Sequence, residues 1–238
     1  MQTTWAGFCS LREFGIDYWS RVWDKREMKD LIMTGWCGVE FAIMASRTVP
    51  IMHRYATKHG MDLAVENLAG AKPPSWEKVS GMIAGLHEYD RVLWIDCDVV
   101  IADDQVNLFD EIQDGAVQAL VEHDTPDGLV PNCGVWAVTQ EMLGVLQEID
   151  DTTHNLNHPW WEQASILEHM GYEVTEGPKA TLGVPTLLYK QTQFLSPRWN
   201  HQPRDAKKPA NARFYHATGY DDRIAFVTAI ANATEVAK

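Results

Sequence analysis

The sequence predicts an α/β domain built on a mostly parallel sheet, with its ligand at the carboxyl edge of the strands. Three observations carry this. Short apolar runs alternate along the 238 residues with longer amphipathic segments, the pattern of strand-helix-strand crossovers. The run Val92-Leu93-Trp94-Ile95 contains no polar residue, Gly or Pro, as is usual for a strand buried on both faces. It leads into Asp96-Cys97-Asp98, and alternation along an extended chain points the two carboxylates to one side and Cys97 to the other. Open α/β sheets bind ligands at that edge.

Taken in order, Leu11 to Met33 carries Trp19, Val22, Trp23, Met28, Leu31 and Ile32 at roughly helical spacing. Residues 1–34 are therefore expected to be a helical extension packed on a domain spanning 35–238. Gly35 and Gly38 break that helix, and Val39 to Ala45 reads as the first strand. Pro50 suits the first turn of the next helix, which Gly60 ends, and Met61 to Glu66 reads as the second strand. This strand-helix-strand unit implies a right-handed parallel crossover. Asn67 to Ser75 is a Pro-rich loop, Ser75 caps a helix over Trp76 to His87, and the Asp96 strand follows.

A short helix is expected around Leu108 and Phe109, then a strand from Val117 to Val121 and an acidic loop from Glu122 to Pro131. Asn132 to Val138 reads as a strand, Glu141 to Ile149 as a helix, His154 to Pro159 as a polar loop and Trp160 to Met170 as a helix. Periodicity weakens from Tyr172 to Asp205, which suggests short strands and loops, and the basic doublet Lys207-Lys208 follows. Arg213 to His216 is the last strand and Arg223 to Ala233 the closing helix. Trp94, Trp136 and Trp161 are expected in the core, while an exposed Trp160 or Trp199 could stack on a ligand ring.

A formal net charge of −13 argues against a nucleic-acid partner, which needs a basic surface to displace counterions, and against anionic membranes. The four cysteines, Cys9, Cys37, Cys97 and Cys133, lie far apart with no CxxC pair, so neither a zinc site nor a disulfide framework is expected. No segment has the length and apolarity of a signal or membrane span, and a soluble cytoplasmic protein is the expectation. Oligomeric state has no sequence signal.

The positions that stand out are Lys78 in Ser75-Trp76-Glu77-Lys78, Asp96 and Asp98, Asn132 with Gly134, Glu162 with Gln163, and His216 with Gly219. Two carboxylates beside a buried strand repel unless a cation joins them, so Asp96 and Asp98 point to a divalent metal. In this order the elements resemble glycosyltransferases of the GT-A fold. The likeness is strongest to fungal α-galactosyl- and α-mannosyltransferases and plant xyloglucan xylosyltransferases, and looser to the glycogenin-like family. In those proteins a Trp-x-Lys helix precedes a strand ending Trp-x-Asp-x-Asp, followed by an Asn-x-Gly strand, a Gln-bearing helix and a late His before a Gly. The resemblance runs from Val39 to Ala225, with Cys133 where the family has Thr or Ser.

The resemblance implies a Rossmann-like, mixed and mostly parallel sheet flanked by helices. It also implies transfer of a hexose or pentose from a nucleotide sugar, UDP-linked in preference to GDP-linked, to a carbohydrate or other hydroxyl acceptor, with retention. Breaking the bond from the anomeric carbon to phosphate builds negative charge on the diphosphate, which a divalent ion absorbs. Asp96, Asp98 and His216 are the implied ligands, and mixed carboxylate and imidazole ligation suits Mn²⁺ somewhat better than Mg²⁺. Asp96 would also share the ribose or sugar hydroxyls. Ala45, Ser46 and Arg47 would hold base and ribose, Lys78 and Gly219 would lie near the diphosphate, Asn132 would bind the donor sugar, and Glu162 and Gln163 would approach the anomeric carbon.

Two rival readings share these residues. Ile95 to Val100 also fits the nucleophile motif of haloacid-dehalogenase-like phosphatases, with Asp96 attacking phosphorus, although that motif belongs on a first strand. A nucleotide-sugar-binding protein without turnover would keep the same metal and diphosphate residues.

Overall fold

The computed structural model describes residues 28–126, 128–203 and 211–236. In chain order the elements are β1 (Asp30–Trp36), α1 (Val39–His59), β2 (Asp62–Asn67), α2 (Pro74–Glu88), β3 (Arg91–Ile95), β4 (Val99–Ile101), β5 (Gln118–Thr125) and β6 (Gly128–Thr139). They continue with α3 (Leu143–Asp151), α4 (Glu162–Met170), β7 (Tyr172–Val174), β8 (Ala180–Leu182), α5 (Leu187–Lys190), β9 (Thr192–Phe194), β10 (Phe214–His216) and α6 (Arg223–Val236). The main sheet has six strands in the order β2-β1-β3-β6-β5-β9, and β6 alone runs antiparallel, to both its neighbours.

Period-two alternation divides the core into two layers. Leu31 and Met33, Val92 and Trp94, and Trp136 and Val138 face α2, α3 and α4, with Met82, Leu86, Leu146 and Leu167 packed on them. Ile32, Leu93 and Ile95, and Val135 and Ala137 face the other way, onto Met44, Met52 and Tyr55 of α1 and Val227 and Ala231 of α6. The expected mixed, mostly parallel sheet with helices on both faces is therefore the fold observed.

The first crossover differs from expectation. Val39 to Ala45 is not a strand but the start of α1, and Pro50 lies inside that helix rather than in its first turn. A short apolar run cannot be assigned to strand or helix by periodicity alone. Burial resolves it: Met44, Thr48, Ile51, Met52, Tyr55 and Ala56 face the sheet, while Val39 and Ile43 face solvent. Pro50 is exposed, on the side where water can satisfy the carbonyl it frees.

The first strand is Asp30–Trp36, so the expected domain boundary at residues 34 and 35 falls inside β1. Consecutive Leu31, Ile32 and Met33, each buried, mark a strand covered on both faces, which extended an apparent helical pattern in the sequence. The rest of the expected helical extension, and Lys207-Lys208, lie outside the described residues. The acidic loop expected from Glu122 to Pro131 is instead a hairpin, with β5 reaching Thr125 and β6 beginning at Gly128. Pro131 is accommodated because β6 there has run past its pairing with β3, which ends at Val135, so no partner on that side needs its missing N–H.

Candidate active site

The chain lays β2 against one side of β1 and then returns through α2 to lay β3 against the other. A crevice opens where the crossovers part, between the carboxyl ends of β1 and β3. A cleft of about 680 Å³ lies there, within the size range of ligand pockets. Its wall includes Gly35, Trp36 and Cys37 at the end of β1, Asp96 and Asp98 after β3, Asn132 to Gly134 of β6, Trp160 to Gln163 at the start of α4, and His216 and Arg223.

Asp96, Asp98 and His216 each offer a ligand atom, and the three atoms lie within 4.8 Å of one another. His216 Nε2 is 3.3 Å from Asp98 Oδ1 and 4.0 Å from Asp96 Oδ2. The two-stranded β4–β10 ribbon produces this meeting. It pairs His216 with Val99, and Ala217 N–H donates to Asp98 O at 3.0 Å.

Asp98 is 5% exposed. Burial alone would raise its carboxyl, but the His216 imidazole and the Arg223 guanidinium, whose Nη1 lies 3.8 Å from Oδ2, outweigh it and hold Asp98 below the ordinary range. Asp96 is fixed through Oδ1, which accepts from Trp94 Nε1 at 2.6 Å and Lys78 Nζ at 3.3 Å, leaving Oδ2 towards His216. Cys97 and Cys133 stay protonated, because burial pushes both thiols up.

A chain of amides sets the protonation of His216. The Cys133 and Gly134 backbone N–H groups can only donate, which identifies Gln163 Oε1 (3.3 Å) and Asn132 Oδ1 (2.9 Å) as acceptors. Asn132 Nδ2 then donates to Gln163 Oε1 at 2.9 Å, and Asn200 Nδ2 donates to Asn132 Oδ1 at 2.8 Å. Asn200 is thereby left with its oxygen 2.9 Å from His216 Nδ1, which must carry the proton. Burial would pull His216 down, but Asp98 and Asp96 outweigh it and hold the imidazole above its ordinary value; Nε2 faces these carboxylates, and its lone pair is what the deprotonated ring would offer a metal.

Gly134 is needed for this packing. A Cβ there would overlap the His216 ring and lie 2.9 Å from Asn132 Oδ1. Gly134→Ala is expected to displace the imidazole and to lower divalent-metal affinity at least tenfold with little change in secondary structure, as checked by metal titration beside circular dichroism.

Lys78, expected near the nucleotide or diphosphate, lies in the cleft wall with its ammonium engaged by the protein. The ammonium is 3% exposed, and its three donors go to Asp96, to Cys133 O at 2.7 Å and to Glu162 Oε1 at 3.0 Å. Burial would pull Lys78 down, yet Asp96 and Glu162 outweigh it and hold it above its ordinary value. Lys78 is thus a strut between α2, β6 and α4. Glu162, also buried, is engaged by it, whereas Gln163 keeps its amide nitrogen for a ligand.

Ala45, Ser46 and Arg47 are not brought to the site. They lie on α1 and do not line the cleft, because the end of the first strand is Gly35–Cys37. Gly219 supplies a turn at φ +82° after His216 but is not part of the wall; Thr218 is. Two residues have no place in the sequence reading. Asn200 stands in a stretch without periodicity and gives no signal. Arg223 could have been noticed as a cation shortly after the His216 turn. Its guanidinium lies 4.8 Å from the Phe41 ring and 3.2 Å from Glu40, and it is the cleft cation that remains partly exposed.

The tryptophans divide differently from expectation. Trp94 and Trp136 are core, and so is Trp199, whose Nε1 donates to Glu111. Trp161, expected in the core, is 51% exposed in the cleft. Its backbone, at φ 45° and ψ −124°, with Gln163 N–H bonded to Trp160 O at 2.9 Å, is the first central position of a type II′ turn, a place that favours Gly. Such strain costs about 1–3 kcal/mol and is held by its surroundings. Here Trp161 N–H donates to His158 O, and Trp160 N–H donates to the ring of buried His158, itself tied to Thr175 O.

No protein-family model and no curated protein matches the chain. Solved structures do. A glycosyltransferase involved in glycosylation of the major capsid of PBCV-1 aligns over 87% of this chain and 99% of its own, with a TM-score of 0.62 at 17% identity. The galactosyltransferase LgtC, in complex with donor and acceptor sugar analogues, aligns over 85% and 95% (TM-score 0.50, 13% identity). The glycosyltransferase GlyE of Streptococcus pneumoniae TIGR4 aligns over 86% of this chain and 63% of its own (TM-score 0.52, 15% identity). What this chain shares with them is the GT-A fold, the mixed and mostly parallel sheet flanked by helices.

Proposed function

We propose that this chain is a metal-dependent glycosyltransferase that moves a hexose or pentose from a nucleotide sugar to a hydroxyl of a carbohydrate or other acceptor. The observation that carries the reading is the meeting of Asp96, Asp98 and the Nε2 lone pair of His216 in the crevice between β1 and β3. Two carboxylates and an imidazole fit a hard divalent cation, Mn²⁺ in preference to Mg²⁺. When bound, the ion would neutralise charge growing on the diphosphate.

The protein's own groups would do the rest. Arg223 would turn from Asp98 to the diphosphate, and the Gly35–Cys37 edge would receive the nucleoside, UDP in preference to GDP. Gln163, held through Oε1, would present its amide nitrogen near the sugar. The acceptor oxygen bonds to the anomeric carbon as the bond from that carbon to phosphate oxygen breaks, with the electron pair leaving on the diphosphate. Engagement of Glu162 with Lys78 supports a retaining course in which the departing phosphate oxygen takes the acceptor's proton. A haloacid-dehalogenase-like reading has less support, since Asp96 follows the third strand of a sheet that contains an antiparallel member.

The test is a panel of UDP- and GDP-sugars with Mn²⁺, read by release of nucleoside diphosphate. Slow release in water and faster release with acceptor are expected; neither binding nor release across the panel would overturn the proposal. Asn200→Ala tests the amide chain. It should weaken Mn²⁺ binding about 10- to 100-fold, the usual worth of a partner that orients a metal-bound histidine, as read by calorimetry.

A further inference from the structure

We infer that Trp161 is the platform on which the acceptor binds, and that the acceptor therefore presents a pyranose ring rather than a peptide hydroxyl. The inference rests on the transfer reading above and adds the acceptor's chemical class. A half-exposed indole has nothing to gain from a cleft wall unless a ligand covers it, and the II′ turn keeps it there in a conformation that glycine would adopt without strain. Buried His158 holds that turn, which also contains Glu162 and Gln163, so the backbone of Trp161 is tied to the residues proposed to meet the donor sugar, and all three line the same cleft.

The position separates acceptor from nucleoside. The nucleotide belongs at the crevice between β1 and β3, the side of Asp98 where Arg223 and Phe41 lie. Trp161 belongs to the opposite wall, reached from His216 through Asn200, Asn132 and Gln163. Asp124 and Gln202 line the same cleft. An apolar plane in a cleft that also offers carboxylate and amide groups suits a sugar ring, whose C–H face is apolar and whose rim is hydroxylated.

The experiment uses the full chain and three variants, Trp161→Gly, Trp161→Ala and Trp161→Phe. The acceptor probes are methyl glycosides of galactose, glucose, mannose and xylose, set against a Ser/Thr peptide pool. Glycoside binding is read by saturation-transfer NMR with UDP and Mn²⁺ present, independently of turnover. Wild type is expected to bind at least one glycoside. Trp161→Ala and Trp161→Gly should weaken it about 10- to 100-fold, as loss of a central aromatic contact does, and Trp161→Phe should largely restore it.

Where turnover is measurable, the acceptor KM should rise by the same factor, and by more than the donor KM. Trp161→Gly should also melt no lower than wild type, because it relieves the turn, whereas a structural tryptophan would melt lower. The inference is overturned if no glycoside binds, if binding is indifferent to Trp161, if transfer goes only to peptides, or if the donor KM rises instead. Failure of the transfer reading itself shows separately, as wild type that releases no nucleoside diphosphate from any donor.

Discussion

Asp98→Asn is expected to remove Mn²⁺ binding, at least about 100-fold, and to slow sugar transfer about 10²- to 10³-fold while leaving the fold intact. The substitution keeps side-chain volume, so packing at the site can persist beside His216 and the Arg223 guanidinium, which stays cationic. What it removes is the charge. Asp98 is the more buried of the two carboxylates, held in its ionised form by a cationic neighbourhood, and it lies nearer His216 Nε2, at 3.3 Å, than Asp96 does, at 4.0 Å. Because the cations beside Asp98 favour its ionised form in the folded chain, neutralising it removes that stabilisation and should lower the melting temperature modestly. Mn²⁺ titration by electron paramagnetic resonance, beside a melting curve, separates the two effects. Wild-type Mn²⁺ affinity in this variant would refute the ligand set.

The second large effect concerns stability. Lys78→Met should destabilise the fold by about 3–5 kcal/mol, the usual consequence of removing one partner from a buried ion pair. Methionine matches the stem of lysine, so packing between the Trp94 and Trp136 rings, 5.4 and 5.9 Å from the ammonium, is largely kept. The loss comes from Glu162, buried and then without its cation, and from Cys133 O, left without that donor. The double change Lys78→Met with Glu162→Gln should recover much of the stability, since no unpaired charge then stays inside. Denaturant unfolding of the single and double variants checks this, and equal stability of the two would show that Glu162 is not the source. Activity should fall in both, because Asp96 loses one of the two donors that fix Oδ1.

How much of this was legible in the sequence depends on the range of the interaction. The Arg91–Ile95 strand, the carboxylates after it, the Asn132 strand, the α2, α3 and α4 helices and the closing strand and helix are local patterns, and each is found close to its expected place. The N-terminal third is where local pattern failed. Apolar runs at Leu31–Met33 and Val39–Ala45 are both of ambiguous length, and only the second shows helical burial once the sheet lies against it. That exchange moved the end of the first strand, and with it the cleft wall, from Ala45–Arg47 to Gly35–Cys37. Trp161 and Trp199 changed roles for a similar reason: exposure follows from one backbone angle at Trp161 and from packing on Phe214 at Trp199.

The sequence by itself determined the layered α/β architecture, because burial on two faces of a sheet leaves a periodic record in the chain. It also determined which residue types were candidates for metal chemistry, Asp96, Asp98 and His216. Only the tertiary structure decided who touches whom. Lys78 is engaged by Asp96, Glu162 and Cys133, from three separate parts of the chain. His216 owes its tautomer to Asn200, Asn132 and two backbone N–H groups of β6, and Arg223 stands over Asp98 from the start of the last helix. Hydrogen bonds and ion pairs act over about 3–4 Å in space, whatever the separation along the chain, so periodicity in sequence cannot encode them.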